Sequence, residues 1–102
     1  MTNITWEDAW LLLAVKYAQG NNNAATKEEV LKAGDFINHA ILMDSEIEHA
    51  VTTLIPAGFL ETKKGNYMLG PSFNKLWEKS GAEKHRAVHK QLETLINAIK
   101  ST

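Results

Sequence analysis

Between Asp44 and Leu69 the hydrophobic period changes once and the chain reverses once, and few folds hold both in so short a space. Ile47, Ala50, Val51, Leu54 and Ile55 recur at three- and four-residue steps, the stripe of an amphipathic helix. Pro56 has no backbone N–H to give, so that helix is expected to distort or end near Leu54. Gly58 then releases the chain into a short strand, Lys64-Gly65 turns it, and a second strand returns. In that hairpin Leu60, Tyr67 and Leu69 can point inward while Glu61, Lys63 and Asn66 stay in water.

The segments on either side read as support. Thr5-Trp6-Glu7-Asp8 has the form of a capping box with Asp in the Glu position, and Ile4 stands where a staple residue would. The helix it opens carries Trp6, Trp10, Leu13, Ala14 and Tyr17 on one face and stops at Gly20. Leu11, Leu12 and Val15 widen its apolar surface, so more than one side is expected to be covered. Thr26-Lys27-Glu28-Glu29 is a full capping box for a second helix with Val30, Leu31 and Ala33 before Gly34. Asp35 is read as the cap of a separate turn in which Phe36, Ile37 and Ala40 are buried. Ser45-Glu46-Ile47-Glu48 is a third capping box, with Asp44 adding charge at the helix N-terminus. Past the hairpin, Gly70-Pro71 leads to a fourth helix with Phe73, Leu76 and Trp77, stopped by Gly81. A last helix is expected over 82–100, with Val88, Leu92, Leu95 and Ile99 forming an a/d seam. That seam can fold back on the first helix or, together with Trp6 and Trp10, hold a homodimer.

Composition narrows the function classes. The chain has 102 residues, enough for one domain. It has no cysteine, which excludes disulfides, thiolate metal sites and cysteine nucleophiles. The first residues have no basic, apolar leader pattern, and the apolar run that opens at Ala9 is far too short for a membrane span. A cytoplasmic protein with no membrane association is the expectation. The formal net charge is −1, so bulk electrostatics favour no polyanionic partner; the basic excess sits in residues 71–102.

The residues Val51-x-x-Leu54-Ile55-x-x-Gly58-Phe59-Leu60-Glu61, followed by Gly65-x-Tyr67-x-Leu69-Gly70-Pro71, resemble a signature of small bacterial MarR-like and PadR-like regulators. These are winged helix-turn-helix proteins. The resemblance implies an α+β, mostly α fold: a winged-helix core over residues 5–80 with a two-stranded wing, and an additional C-terminal helix over 82–100 in one domain. It also implies a DNA-binding transcriptional regulator whose third helix enters the major groove while the wing touches the backbone. Carried over by position, the contacts to double-stranded DNA fall to Ser45, His49, Thr52, Thr53, Lys63, Lys64 and Asn66. Glu46 and Glu48 share that helix and oppose phosphate, since phosphate neutralisation supplies most non-specific affinity. The alternative is a winged helix that has no DNA partner and binds an unidentified protein instead.

Other clusters carry less. His85, His89 and Glu93 fall at four-residue steps, a spacing two metal ligands accept, but no further ligand motif accompanies them. They read as a solvated polar stripe. Asp35 with His39, and Asn38 beside them, read as satisfied polar groups in an apolar stretch. Lys75, Lys79, Lys84, Arg86 and Lys90 are the best electrostatic candidates for touching phosphate, though a solvated helix face balanced by Glu78, Glu83 and Glu93 explains them better. No phosphate loop, nucleophile or cofactor motif is present, so neither catalysis nor a cofactor or metal is expected.

Overall fold

In the computed structural model, which describes residues 4–20 and 23–100, the chain is α+β and mostly helical. The elements are α1 (Trp6–Gln19), α2 (Lys27–Asn38), α3 (Asp44–Leu54), β1 (Leu60–Lys63), β2 (Asn66–Leu69), α4 (Phe73–Ser80), a single 3₁₀ turn (Ala82–Lys84) and α5 (Val88–Lys100). Among the described residues no helix is long and apolar enough to cross a membrane.

The centre is α1. Every residue from Asp8 to Val15 is buried, so the helix is covered all round rather than along one stripe. Its start is fixed as the sequence predicts: Thr5 Oγ1 accepts the Asp8 N–H at 3.3 Å, and Asp8 Oδ2 accepts the Thr5 N–H at 3.0 Å. The covering elements are α2, α3, β2 and α5 of the same chain. Leu92, Leu95 and Ile99 of α5 are buried against this core, with Val88 half-buried beside it. The expected dimer seam is therefore spent within one chain. Trp10 is buried as well, its indole N–H donating to the Gly34 carbonyl at 3.0 Å. Of the six residues assigned to a dimer contact, Trp6 alone is classed as exposed, at 40%. The apolar excess of α1, which argued for a second subunit, is satisfied internally.

Three boundaries differ from expectation. Gly34 does not break α2, which runs on to Asn38. A Cβ at this position would stand 3.1 Å from Leu42 Cδ1 and 3.5 Å from Trp10 Nε1, so glycine admits two neighbours rather than ending a helix. Phe36 and Ala40 consequently lie on the surface while Ile37 is buried, and His39 becomes an exposed left-handed cap at φ 53°. Asn38 is half-buried, so neither Asn38 nor His39 is a core polar group.

The second boundary is the start of α3, which begins at Asp44 rather than after Ser45. Met43 holds the cap position, and the Glu46 carboxylate accepts its N–H at 2.8 Å. Half a capping box suffices here. At the third, residues 85–87 interrupt the last helix: His85 is extended (φ −96°, ψ 135°), and α5 starts at Val88. His85 therefore leaves the helical register of His89 and Glu93. Among the described residues no group of three or more His, Asp or Glu side chains gathers as metal ligands would.

The hairpin matches its sequence in register and turn, except that Asn66, expected in water, is half-buried. Leu60 pairs with Leu69 and Lys63 with Asn66 in an antiparallel register. Lys64 and Gly65 both have positive φ, 54° and 81°, as a two-residue primed turn requires. Two features escaped the pattern. Ala25, just before α2, exchanges two backbone hydrogen bonds of 2.8 Å with Tyr67, adding a one-residue third strand. At the base, Gly70 donates to the Phe59 carbonyl at 2.9 Å and Ser72 to the Gly58 carbonyl at 3.0 Å.

Candidate recognition surface

The inward stripe of α3 is Ile47, Ala50 and Leu54, with Val51 half-buried. Helical geometry then sorts the remaining side chains into two rows. Asp44, Glu48 and Thr52, at four-residue steps, are all exposed and form the outermost row. Ser45, His49 and Thr53 form the neighbouring row. That second row turns toward α1: His49 Nδ1 stands 2.9 Å from Asp8 Oδ1, and Thr5, Glu7, Asp8, Ser45, Glu46 and His49 line one shallow cleft.

Asp8 is fully buried and both its oxygens are engaged, one by the Thr5 N–H and one by His49. A carboxylate taken out of water needs such partners. His49 keeps 42% of its side chain exposed and serves as the outer half of the pair. Ser45 precedes His49 by one helical turn, but no hydrogen bond joins them among the described residues, so the nucleophile–base contact of a hydrolytic triad is not made. The pair clamps α3 onto the first turn of α1. In sequence Asp8 shows only as a capping residue, because its second partner lies 41 positions away. The available signal was a carboxylate at the edge of an unbroken apolar run.

At the start of α3, Lys27 of α2 pairs with Asp44 at 2.9 Å, an ion pair that is exposed on both sides. The hydrogen bond to Asp44, and its charge, push the Lys27 pKa up. The pair leaves the outermost row of α3 with one neutralised carboxylate, one at Glu48 that no ion pair engages among the described residues, and no cation in the row. On the hairpin, Lys63 and Lys64 are exposed, and no ion pair engages them among the described residues; Asn66 is half-buried in β2. Of the seven residues expected at a nucleic-acid interface, four therefore stand free on the surface: Ser45, Thr52, Lys63 and Lys64. His49 is tethered, and Thr53 and Asn66 are half-buried.

The basic residues of α4 and the C-terminal segment, Lys75, Lys79, Lys84, Arg86 and Lys90, are all exposed, with Lys90 near Glu93 at 3.9 Å. Lys16 of α1 lies 4.7 Å from the centre of the Trp77 ring and ties α4 to α1 by a cation–π contact.

No protein-family model, curated protein or solved structure matches the chain.

Proposed function

We propose that this chain is a winged-helix module whose partner is another protein rather than duplex DNA. The element order, the tight hairpin directly after α3 and the one-residue strand at Ala25 support the winged-helix reading. The observation that carries the choice of partner is the outermost row of α3, Asp44, Glu48 and Thr52: it holds no cation, Asp44 is paired with Lys27 of α2, and Glu48 has no ion pair among the described residues. A carboxylate held about 4 Å from a phosphate costs roughly 1 kcal/mol in water and about 4 kcal/mol at a protein-like surface. A good base contact returns about 1–3 kcal/mol. Repulsion of that size cancels what the row gains by reading bases.

Duplex DNA remains the second reading, favoured by one observation: Lys63 and Lys64 stand exposed at the tip of the hairpin, with no ion pair among the described residues, where a wing meets the DNA backbone. In that case the contacts are Ser45, His49, Thr52, Thr53, Lys63, Lys64 and Asn66. A titration with random duplex DNA at low salt separates the two. The protein-partner reading expects binding weaker than about 10⁻⁴ M, the range that non-specific DNA binders reach. Tighter binding that disappears when Lys63 and Lys64 are both changed to Glu overturns it.

A further inference from the structure

Among the described residues, the α2–α3 connector holds the two most exposed large hydrophobic side chains. Ile41 is 71% exposed and Met43 65%, while Leu42 between them is buried against Gly34. Met43 is extended (φ −81°, ψ 153°). Ile41 and Met43 thus both stand in water on either side of a buried Leu42. Phe36, 63% exposed, is on the neighbouring helix.

Ile41 forms one wall of a shallow groove whose other lining residues are Glu28, Leu31, Lys32 and Asp35 of α2. Those four sit at i, i+3, i+4 and i+7, a single helical face. Lys32 is drawn to Glu28 at 3.5 Å, and among the described residues no ion pair engages Asp35. From Lys27 to Glu48 the chain holds six carboxylates against two lysines, and both lysines already pair within the stretch. The groove itself sets two carboxylates, Glu28 and Asp35, against one lysine around apolar Leu31 and Ile41, a net acidic seat that disfavours nucleic acid and anionic lipid and complements a segment carrying apolar anchors among basic residues.

From this charge complementarity we propose that the groove between α2 and residues 41–43 docks a basic, apolar-anchored segment of another protein. The proposal rests on the protein-partner reading and gives that partner its chemistry and its seat. Ile41 supplies the apolar anchor point and Asp35 the charge. Most of the Ile41 side chain faces water, so changing it leaves the core in place.

The test measures fluorescence anisotropy of labelled peptides against the full chain. The probes are a short amphipathic leucine–lysine peptide, its leucine–glutamate counterpart and a lysine-only peptide of equal length. Saturable binding of the leucine–lysine peptide alone is expected. Ile41→Ser and Asp35→Lys should each weaken it about tenfold, with unchanged circular dichroism. If the lysine-only peptide binds equally well, or Ile41→Ser leaves the affinity unchanged, the groove is not the seat. Light scattering adds one more outcome: a wild-type chain that self-associates and becomes monomeric with Ile41→Ser assigns the groove to a second copy and overturns the proposal. Lys63 and Lys64 take no part, so failure here stays distinct from a positive DNA titration, which would remove the reading beneath it.

Discussion

His49 Nδ1 and Asp8 Oδ1 stand 2.9 Å apart across 41 positions of chain, joining a half-exposed imidazole to a fully buried carboxylate. The two sides are unequal. Removing the imidazole leaves a buried carboxylate with one backbone N–H, whereas removing the carboxylate leaves a histidine that water still reaches. His49→Ala is expected to cost about 1–3 kcal/mol, well above a surface substitution. Adding Asp8→Asn should recover part of that loss. Urea unfolding of both variants measures it, and a His49→Ala cost within about 0.5 kcal/mol of zero rules the clamp out.

The base of the hairpin makes a sharper steric prediction. A Cβ at Gly70 would lie 2.2 Å from the Gly58 carbonyl oxygen and 2.9 Å from the Leu60 nitrogen, both backbone atoms that cannot step aside. Gly70→Ala should therefore destabilise by roughly 2 kcal/mol or more. At the tip, Lys64 already holds positive φ, a cost that Asn tolerates better in a primed turn. Lys64→Asn is expected to be neutral or slightly stabilising. Thermal melts of the two variants should move in opposite directions or by very different amounts.

The seam on α5 predicts a folding defect rather than an assembly defect. Leu95 is fully buried within the chain, so Leu95→Ala should cost about 2–5 kcal/mol. Leu92→Asp should unfold the protein, not release a monomer. Light scattering on Leu95→Ala under native conditions should give the wild-type molar mass, and dissociation would contradict the internal seam.

Protonation acts at the start of α2. Hydrogen bonds from Thr26, the backbone N–H foremost, hold the Glu29 carboxyl below its ordinary value of 4.5. A depressed folded-state pKa contributes stability above the unfolded value and loses it as pH falls through the folded one. The Glu29→Ala penalty should therefore be full at pH 7 and shrink below the carboxylate range. Urea midpoints at neutral and acidic pH give the comparison; a penalty independent of pH argues against the charged cap.

What the sequence disclosed and what it hid divide along local and distant causes. The caps at Thr5 and Thr26, the Lys64-Gly65 turn and the stop at Gly81 each depend on a few adjacent residues, and the fold carries all of them. Gly34 looks like a helix breaker in sequence, but its neighbours, Trp10 and Leu42, arrive from other elements and make it a point of close approach. The start of α3 is hidden for a smaller reason: Glu46 caps Met43 without any hydroxyl to mark the spot. Of the candidate surface, the hairpin lysines were legible as exposed, and the turning of His49 toward Asp8 was not.

The two 2.8 Å hydrogen bonds between Ala25 and Tyr67 carry one more consequence. Isolated two-stranded hairpins are marginal in water, and this bridge fastens one to the entrance of α2. The Ala25 and Tyr67 amides close only when the hairpin meets the α1–α2 junction, so their hydrogen exchange reports that meeting alone. Slow exchange at both, with equal protection, would mark the hairpin and the helical centre as one cooperative unit.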